Sequence, residues 1–279
     1  MSKKQIIMEK ALELFAKQGF ESTSIQQITD YCGISKGAFY LSFKSKDQLI
    51  IALIDHFMEE FISDIDHLVK TSNDDALLYT FYHTILQSFR KHSDFGKLLI
   101  KEQTHTLNDE LLEKLHYYNN EMDKIILYLI ERQYGEEIKH TKYDLMYCIK
   151  SFTGMYSELF LFNSVPLDLD LNLLSQSLVE KTSILATHTT ITFISEEIVQ
   201  LSKLQTKKEI KKEEIIHLLE QKIEDIKDAI TKESLILLKQ HILERNLSPA
   251  IVTGLIKNLQ NHPDCKWISY LLRGACHLS

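Results

Sequence analysis

Glycine and proline are scarce in this sequence of 279 residues, which contains only 8 Gly and 3 Pro. Folds built from many short strands, such as sandwiches and barrels, need frequent sharp turns, and these two residues are the usual means of making them. Hydrophobic residues make up 44% of the chain and charged residues 25%, which is typical of a globular protein and excludes a disordered one. The composition therefore predicts an all-α fold made of long helices.

Long apolar runs are also absent. No segment reaches the ~18 uncharged apolar residues that a membrane-spanning helix needs, and residues 1–5 lead into a charged amphipathic stretch rather than a cleavable signal. The four cysteines lie far apart and form no C-x-x-C pair, so neither a disulfide framework nor a zinc site is predicted. We therefore expect a cytoplasmic protein with reduced cysteines that binds no membrane and no metal.

Motifs of catalysis are missing as well. The 12 histidines are scattered, and the sequence contains no H-E-x-x-H, G-x-S-x-G or P-loop pattern. Adjacent acidic pairs such as Glu59-Glu60 point apart on a helix, so they suit solvated surfaces rather than a catalytic pair. The sequence predicts neither an enzyme nor a bound cofactor.

Three short helices are predicted in the first 45 residues. The first covers residues 6–17 and stops at Gly19, the second is capped by a hydroxyl such as that of Ser24 and stops at Gly33, and Ser35 caps the third. Two short helices joined by a glycine turn form a helix-turn-helix, a motif that places its second helix in the major groove of DNA.

Long amphipathic helices follow and predict a helical bundle. Their apolar residues recur at helical spacing over residues 46–70, 76–91, 95–104, 109–133 and 142–162. This part of the chain is acidic, because residues 51–200 carry 12 Lys and Arg against 24 Asp and Glu.

The stretch of residues 145–162 is apolar almost all round, and a helix without a polar face must be buried on every side. It is therefore predicted to pack against a partner helix. Together with residues 171–200 it is our candidate for a dimer interface. We expect a helix from residue 169 to about 200, although the alternation of threonine with Ile191 and Phe193 also fits a strand.

A boundary is predicted at residues 203–214, which carry five Lys and three Glu with only two apolar residues, Leu204 and Ile210. Beyond it, the isoleucines and leucine at 216, 219, 223, 226 and 230 follow coiled-coil spacing for only two heptads, so an amphipathic helix in a local bundle is preferred. Pro249 and Pro263 are expected to start two more helices. The predicted domains are a DNA-binding domain (1–46), a ligand-binding and dimerisation bundle (47–202) and a C-terminal helical module (203–279).

The N-terminal sequence resembles the tetracycline-repressor (TetR) family of bacterial transcription regulators. The matching segments are A-L-E-L-F at 11–15, G-F at 19–20, T-S-I at 23–25, G-I-S-K-G-A-F-Y at 33–40 and F-K-S-K-D-Q-L at 43–49. The resemblance covers about a fifth of the chain. It implies a homodimer that binds a palindromic operator in double-stranded DNA, with a four-helix contact between the subunits, and a regulatory function that is most often repression.

Several residues around the third helix have suitable chemistry for DNA contact. Lys36 can donate to guanine O6 or N7, Gly37 lets the backbone approach a groove edge, and Leu41 can touch a thymine methyl group. The hydroxyl and ammonium groups nearby suit phosphates. The alternative for Lys36 and Lys46 is a solvated surface lysine, and the alternative for Tyr40 is a partly buried tyrosine of the core. The predicted DNA-contacting set is Ser24, Gln27, Ser35, Lys36, Gly37, Ala38, Tyr40, Ser42 and Lys46.

The bundle is acidic and rich in aromatic residues, which predicts that it binds a small apolar effector. Its negative charge is also compatible with a cationic effector. The candidate pocket residues are Phe57, Phe61, His83, Phe89, Gln103, Tyr118, Met122, Phe152 and Tyr156, although plain core packing is the alternative for each. The long helix from Lys46 would carry the signal to the DNA-binding domain. A second function remains open from the sequence alone, namely a scaffolding or co-regulatory protein that acts mainly through protein contacts of the C-terminal module.

Overall fold

The computed structural model describes residues 3–103, 109–161, 169–199 and 212–275, with side chains described for all of these except 99–103, 109, 161 and 274. Within these ranges the chain is helical and forms no β-strand, which confirms the predicted all-α fold class. The helices are α1 (Lys3–Gln18), α2 (Ile25–Cys32), α3 (Lys36–Tyr40), α4 (Lys46–Thr71), α5 (Leu77–Lys91), α6 (Ser93–Gln103), α7 (Asp109–Tyr134), α8 (Lys142–Leu161), α9 (Leu171–His188), α10 (Lys212–Asp225), α11 (Ala229–Glu244), α12 (Pro249–Gln260) and α13 (Lys266–Ala275).

The chain divides into two compact units. One comprises residues 1–61 and 67–206, and the other comprises residues 62–66 and 207–279. The division into the three domains 1–46, 47–202 and 203–279 stays a prediction. In the described ranges, every helix is too short or too polar to cross a bilayer.

Helices α1 to α3 form a small head with its own core. Ala11 and Phe15 of α1, Ile28 of α2 and Phe39 of α3 are all fully buried, and Phe43 just beyond α3 is 3% exposed. Burial of these five apolar side chains fixes α3 against the other two helices, since apolar surface removed from water is the main stabilising contribution in so small a unit.

The head is followed by a bundle of helices α4 to α9. Tyr82 of α5 and Thr182 of α9 are both buried, and their hydroxyl oxygens lie 2.6 Å apart. Arg132 of α7 donates to the carbonyl oxygens of Val69 and Ser72 at the C-terminal end of α4, the latter at 2.6 Å. A cation at this position satisfies carbonyls that lack helical partners and opposes the helix dipole. The end of α4 is thereby fixed to α7.

Helix α8 is only partly buried in the single chain. Its apolar residues are not buried on every side, because Tyr147 is 50% exposed, Met155 64% and Leu159 38%. These three side chains lie on a surface of the single chain, while Leu145 and Ile149 of the same helix are buried. A helix that is apolar all round therefore contacts its own bundle with only one side.

The predicted helix over residues 169–200 is also wrong in its extent. Helix α9 ends at His188, residues 189–194 form neither helix nor strand, and residues 196–199 are helical again. The β-branched threonines disfavour helix here, and Asp144 of α8 accepts the backbone N–H groups of Phe193 and Ile194 that a helix would have used. Neither the helix nor a paired strand was realised.

The unit containing residues 207–279 has a separate hydrophobic core. Ile226 lies directly after α10, and Ile230, which is 66% exposed, is the second residue of α11, so the spacing over 216–230 spans two helices and not one seam. The preferred interpretation as a local bundle is confirmed. Pro249 starts α12 and Pro263 starts the short turn before α13, as predicted. The core consists of Ile215, Leu219, Ile226, Leu235, Leu238, Ile242, Val252, Ile256, Leu259, Cys265, Ile268 and Leu272.

Candidate nucleic-acid interface

The turn between α2 and α3 is fixed by local signals in the sequence. Ser24 and Gln27 form a capping box, in which the Ser24 hydroxyl accepts the Gln27 backbone N–H and the Gln27 side chain accepts the Ser24 N–H at 2.8 Å. Gly33 ends α2 with φ +66°, a left-handed conformation that side chains disfavour. Ser35 then accepts the Ala38 N–H and starts α3. These contacts set the angle between the two helices.

Helix α3 presents one side to solvent and buries the other. Lys36 and Gly37 are exposed, Tyr40 is 51% exposed and Leu41 is 91% exposed, whereas Phe39 between them is fully buried. Phe39 packs edge-on against Tyr40 with 5.6 Å between ring centroids. The buried phenylalanine therefore holds an outward-facing ammonium, phenol and apolar side chain in a fixed arrangement, as contact with base edges and phosphates requires.

The other predicted DNA contacts differ in how freely they can reach a ligand. Ser24, Gln27 and Ser35 are exposed although they also cap helices, and Ala38 and Ser42 are half-buried. Their assignment to DNA stays a prediction.

Lys46 has a structural contact that the sequence pattern did not indicate. Its Nζ donates to the carbonyl oxygen of Phe20 at 2.8 Å and of Glu21 at 3.3 Å, and it lies 4.3 Å from the centre of the Phe20 ring. The side chain thus ties the start of α4 to the loop between α1 and α2. A phosphate contact by Lys46 would have to compete with these hydrogen bonds.

Two further groups in the head were missed by the sequence analysis. Lys4 lies 5.6 Å from the centre of the Phe43 ring, which places a cation of α1 next to the segment that follows α3. Tyr31 donates to Glu13 at 2.5 Å, and this bond, with the ion pair from Lys10, holds the pKa of Glu13 below its ordinary value. Both aromatic contacts join residues that are far apart in the sequence, so no local spacing could indicate them.

The head matches a known protein family. The profile described as "Bacterial regulatory proteins, tetR family" covers residues 7–53, which are α1 to α3 and the first part of α4. Residues 7–53 of this chain therefore match the tetR family. The resemblance seen in the sequence is confirmed.

Relatives of this chain are described as transcriptional regulators. The chain is 31% identical over 182 residues to the uncharacterized HTH-type transcriptional regulator YerO of Bacillus subtilis, covering 64% of this chain and 63% of that protein. It is 27% identical to YuxN of the same organism, over 56% and 54% of the two chains. The chain thus spans about half to two thirds of the length of these relatives. They are regulators rather than enzymes.

Solved structures show the same fold. The fatty acid degradation regulator FadR of Bacillus halodurans superposes with a TM-score of 0.57 at 15% identity, covering 67% of this chain and 97% of that one. The ketosteroid regulator KstR2 of Mycobacterium tuberculosis gives 0.54 at 16% identity, over 65% and 93%. At such identities the likeness concerns the fold alone.

Three of the predicted pocket residues take part in ring contacts at α4. Phe57 stacks on Phe95 with 4.6 Å between ring centroids and meets the His92 ring edge-on, and Phe61 lies 6.2 Å from Phe89. Except for Phe95, these rings are only half-buried. We call the five side chains of Phe57, Phe61, Phe89, His92 and Phe95 the aromatic cluster; His92 and Phe95 were missed from the sequence.

The remaining predicted pocket residues lie elsewhere. Tyr118 is buried and donates to Asp55 at 2.7 Å, while Lys114 binds the same carboxylate at 3.0 Å. Asp55 lies on the side of α4 away from Phe57 and Phe61, because residues two or six positions apart face opposite ways on a helix. Burial, followed by the negative charge of Asp55, raises the pKa of Tyr118 far above its usual range. Tyr118 is thus part of the contact between α4 and α7.

Five predicted pocket residues remain, four of them with described side chains. His83 stacks on Tyr79 of the same helix, and Tyr156 of α8 lies under the ammonium of Lys181. Met122 and Phe152 are half-buried on α7 and α8, and the side chain of Gln103 lies outside the described residues. A cavity of about 30 Å³ at Asp144 and Cys148 has room for one water and not for an effector.

Proposed function

We propose that this protein is a DNA-binding transcriptional regulator, and specifically a repressor that binds a palindromic operator as a homodimer. The observation that carries the proposal is the arrangement of α3, where Lys36, Tyr40 and Leu41 point outward from a backbone held by the buried Phe39. The match of the same residues to the tetR family supports it. Helix α3 would enter the major groove, with Lys36 at base edges and Tyr40 at a phosphate.

Dimerisation is part of the proposal because one helix-turn-helix buries too little surface for tight specific binding. The exposed apolar side chains of α8 and α9 provide a surface for it. Besides Tyr147, Met155 and Leu159 on α8, Leu173 is 64% exposed and Ile184 is 51% exposed on α9. Two copies related by a twofold axis would bury these faces against each other and hold two heads at a spacing that suits a palindrome.

Effector sensing is proposed at the aromatic cluster. Helix α4 starts directly after the head and continues to Phe57 and Phe61, so a small apolar molecule bound among the half-buried rings would act on the helix that carries the head. Relatives described as fatty acid metabolism regulators suggest an acyl compound as the first class to test, and the acidic bundle extends the choice to amphipathic cations. An effector releases DNA only by as much as it prefers the released conformation.

Substitutions in α3 test the DNA-binding proposal. With operator fragments selected from random duplexes, we expect Lys36→Ala to cost about 1–3 kcal/mol at the contacted base pair and to relax sequence preference there. Tyr40→Phe is expected to weaken all sites by a similar factor, because a phosphate contact carries no sequence information. Fluorescence anisotropy at several salt concentrations measures both effects. The proposal is wrong if neither wild type nor variants show salt-dependent preference for any duplex.

A titration tests the sensing proposal. Fatty acids and acyl thioesters of increasing chain length, and apolar quaternary amines, are added to the labelled operator complex. We expect at least one class to lower operator affinity tenfold or more, which requires a differential binding energy of about 1.4 kcal/mol. Replacing Phe61 by alanine should weaken that response while leaving effector-free DNA binding intact. Compounds that bind the protein yet never change operator occupancy would exclude an effector role for them.

A further inference from the structure

The extended segment of residues 189–194 is held firmly to the start of α8. Asp144 accepts the backbone N–H of Phe193 at 3.1 Å and that of Ile194 at 3.2 and 3.3 Å from its two carboxylate oxygens. The Thr192 hydroxyl donates to the carbonyl oxygen of His140 at 3.0 Å. Hydrogen bonds to a charged group are stronger than neutral ones, so this segment has a defined position on the bundle.

The same segment exposes its large apolar side chains. Ile191 and Phe193 are each 80% exposed, more than any other large apolar residue in the described chain except Leu41. Four hydrogen bonds hold this segment in place, and yet its two large apolar side chains face solvent rather than the interior of the bundle. Rigid apolar groups facing outward mark a contact surface, because they lose little conformational entropy on binding and gain burial.

The position of the segment links it to the exposed face of α8. Asp144, Tyr147, Ser151 and Met155 are spaced by three, four and four residues, so they lie on one stripe of the helix. Tyr147, Ser151 and Met155 are all exposed. Because Asp144 binds the backbone of Phe193 and Ile194, the segment lies next to the N-terminal part of this stripe.

We propose that residues 189–194 pack against a second copy of this chain and form an arm of the homodimer interface. This inference rests on the dimer in the proposed function and adds to it a contact outside the two helices. Asp144 is then a positioning residue, which presents the arm without itself meeting the partner.

The area needed for a stable dimer supports this choice of occupant. A specific interface buries about 800 Å² on each partner, whereas the five exposed apolar side chains of α8 and α9 are only about half uncovered. With about 200 Å² for a large side chain, 80% exposure of Ile191 and Phe193 adds on the order of 300 Å². The arm would thus supply more than a third of the surface area that each partner needs to bury.

The test measures dimer dissociation of the full chain by analytical ultracentrifugation or subunit exchange. The double variant Ile191→Ser and Phe193→Ser is expected to raise the dimer dissociation constant at least 30-fold. Asp144→Asn keeps the side-chain shape but loses the charge, and it should raise the constant about three- to tenfold. Ile230→Ser is the matched control, since Ile230 is 66% exposed on α11 in the other compact unit. Its dissociation constant should equal that of the wild type.

The outcomes separate this inference from the proposed function. If Gly154→Arg on α8 dissociates the dimer but the arm variant does not change the constant, the arm inference is overturned and the dimer stands. If wild type is monomeric at every concentration, the proposed dimer itself fails. Because both arm side chains are largely exposed, the circular dichroism and melting temperature of the arm variant should match wild type, so misfolding would itself contradict the exposed position.

Discussion

Replacing Gly154 with arginine is expected to leave each chain folded while separating the dimer and abolishing tight operator binding. Gly154 lies in α8 between Ser151 and Glu158 on the exposed side of the helix, and a Cβ built on it meets nothing within 4 Å. In the single chain the new side chain has open space. Glycine is also a poor helix former, by about 1 kcal/mol relative to alanine, so the substitution does not weaken α8.

The effect in the dimer is large because the substitution occurs twice about the twofold axis. Two arginines would meet in an apolar contact with no designed acidic partner, and an uncompensated buried charge costs about 3–5 kcal/mol. We expect the dimer dissociation constant to rise at least 100-fold. Operator affinity should fall by about 10³, since a single head contacts only half of the palindrome.

A second glycine provides the control. Gly254 is exposed in the middle of α12, and a Cβ built there also meets nothing within 4 Å. Gly254→Arg therefore introduces the same charge and the same helix preference at a site in the other compact unit. It should leave both the dimer constant and operator affinity unchanged. Equal behaviour of the two variants would show that the α8 face is not the dimer contact.

The head could be predicted from sequence because its determinants are local. Ser24 and Ser35 cap helices that begin one residue later, and Gly33 takes the left-handed conformation that ends α2. Each signal acts within a few residues of the chain, so a single sequence contains it. The alternation of buried Phe39 with exposed Lys36 and Tyr40 follows from the same helix periodicity.

Long-range pairings could not be predicted in this way. The Lys46 ammonium binds carbonyl oxygens 25 and 26 residues earlier, and Asp144 binds backbone groups about 50 residues later. A lysine at the start of a helix gives the same sequence pattern whether its side chain contacts DNA or another part of the same protein. The end of α9 at His188 depends partly on Asp144 and was therefore also missed.

The predicted pocket shows the same limit. Aromatic residues at helical spacing identify the face of a helix that avoids water, but they do not say which neighbours share it. Phe57 and Phe61 lie together on α4, whereas Tyr118 from the same predicted set contacts the opposite side of that helix through Asp55. Only the packing of α4 between its neighbours separates these two groups.

Replacing Phe39 with alanine is expected to unfold the head selectively. Phe39 is fully buried and packs against Tyr40 and Phe43, with ring centroids 5.6 and 6.0 Å apart. Truncating a buried phenylalanine costs about 3–5 kcal/mol, through lost burial and the cavity left behind. Because small folded units have only about 5–15 kcal/mol of stability, the open form of the head should become about 10²- to 10⁴-fold more populated. Operator binding should fall with it.

Leu41→Ala is the matched variant, because Leu41 lies two residues away and is 91% exposed. Its removal should change stability by less than about 0.5 kcal/mol, and any loss of DNA binding would then come from a lost base contact. Hydrogen exchange of peptides covering α2 and α3 distinguishes the two cases. Phe39→Ala should speed exchange in the head and leave α11 and α12 unchanged. If exchange in the head stays at the wild-type rate, α3 is not held by Phe39, and the fixed arrangement of Lys36 and Tyr40 needs another cause.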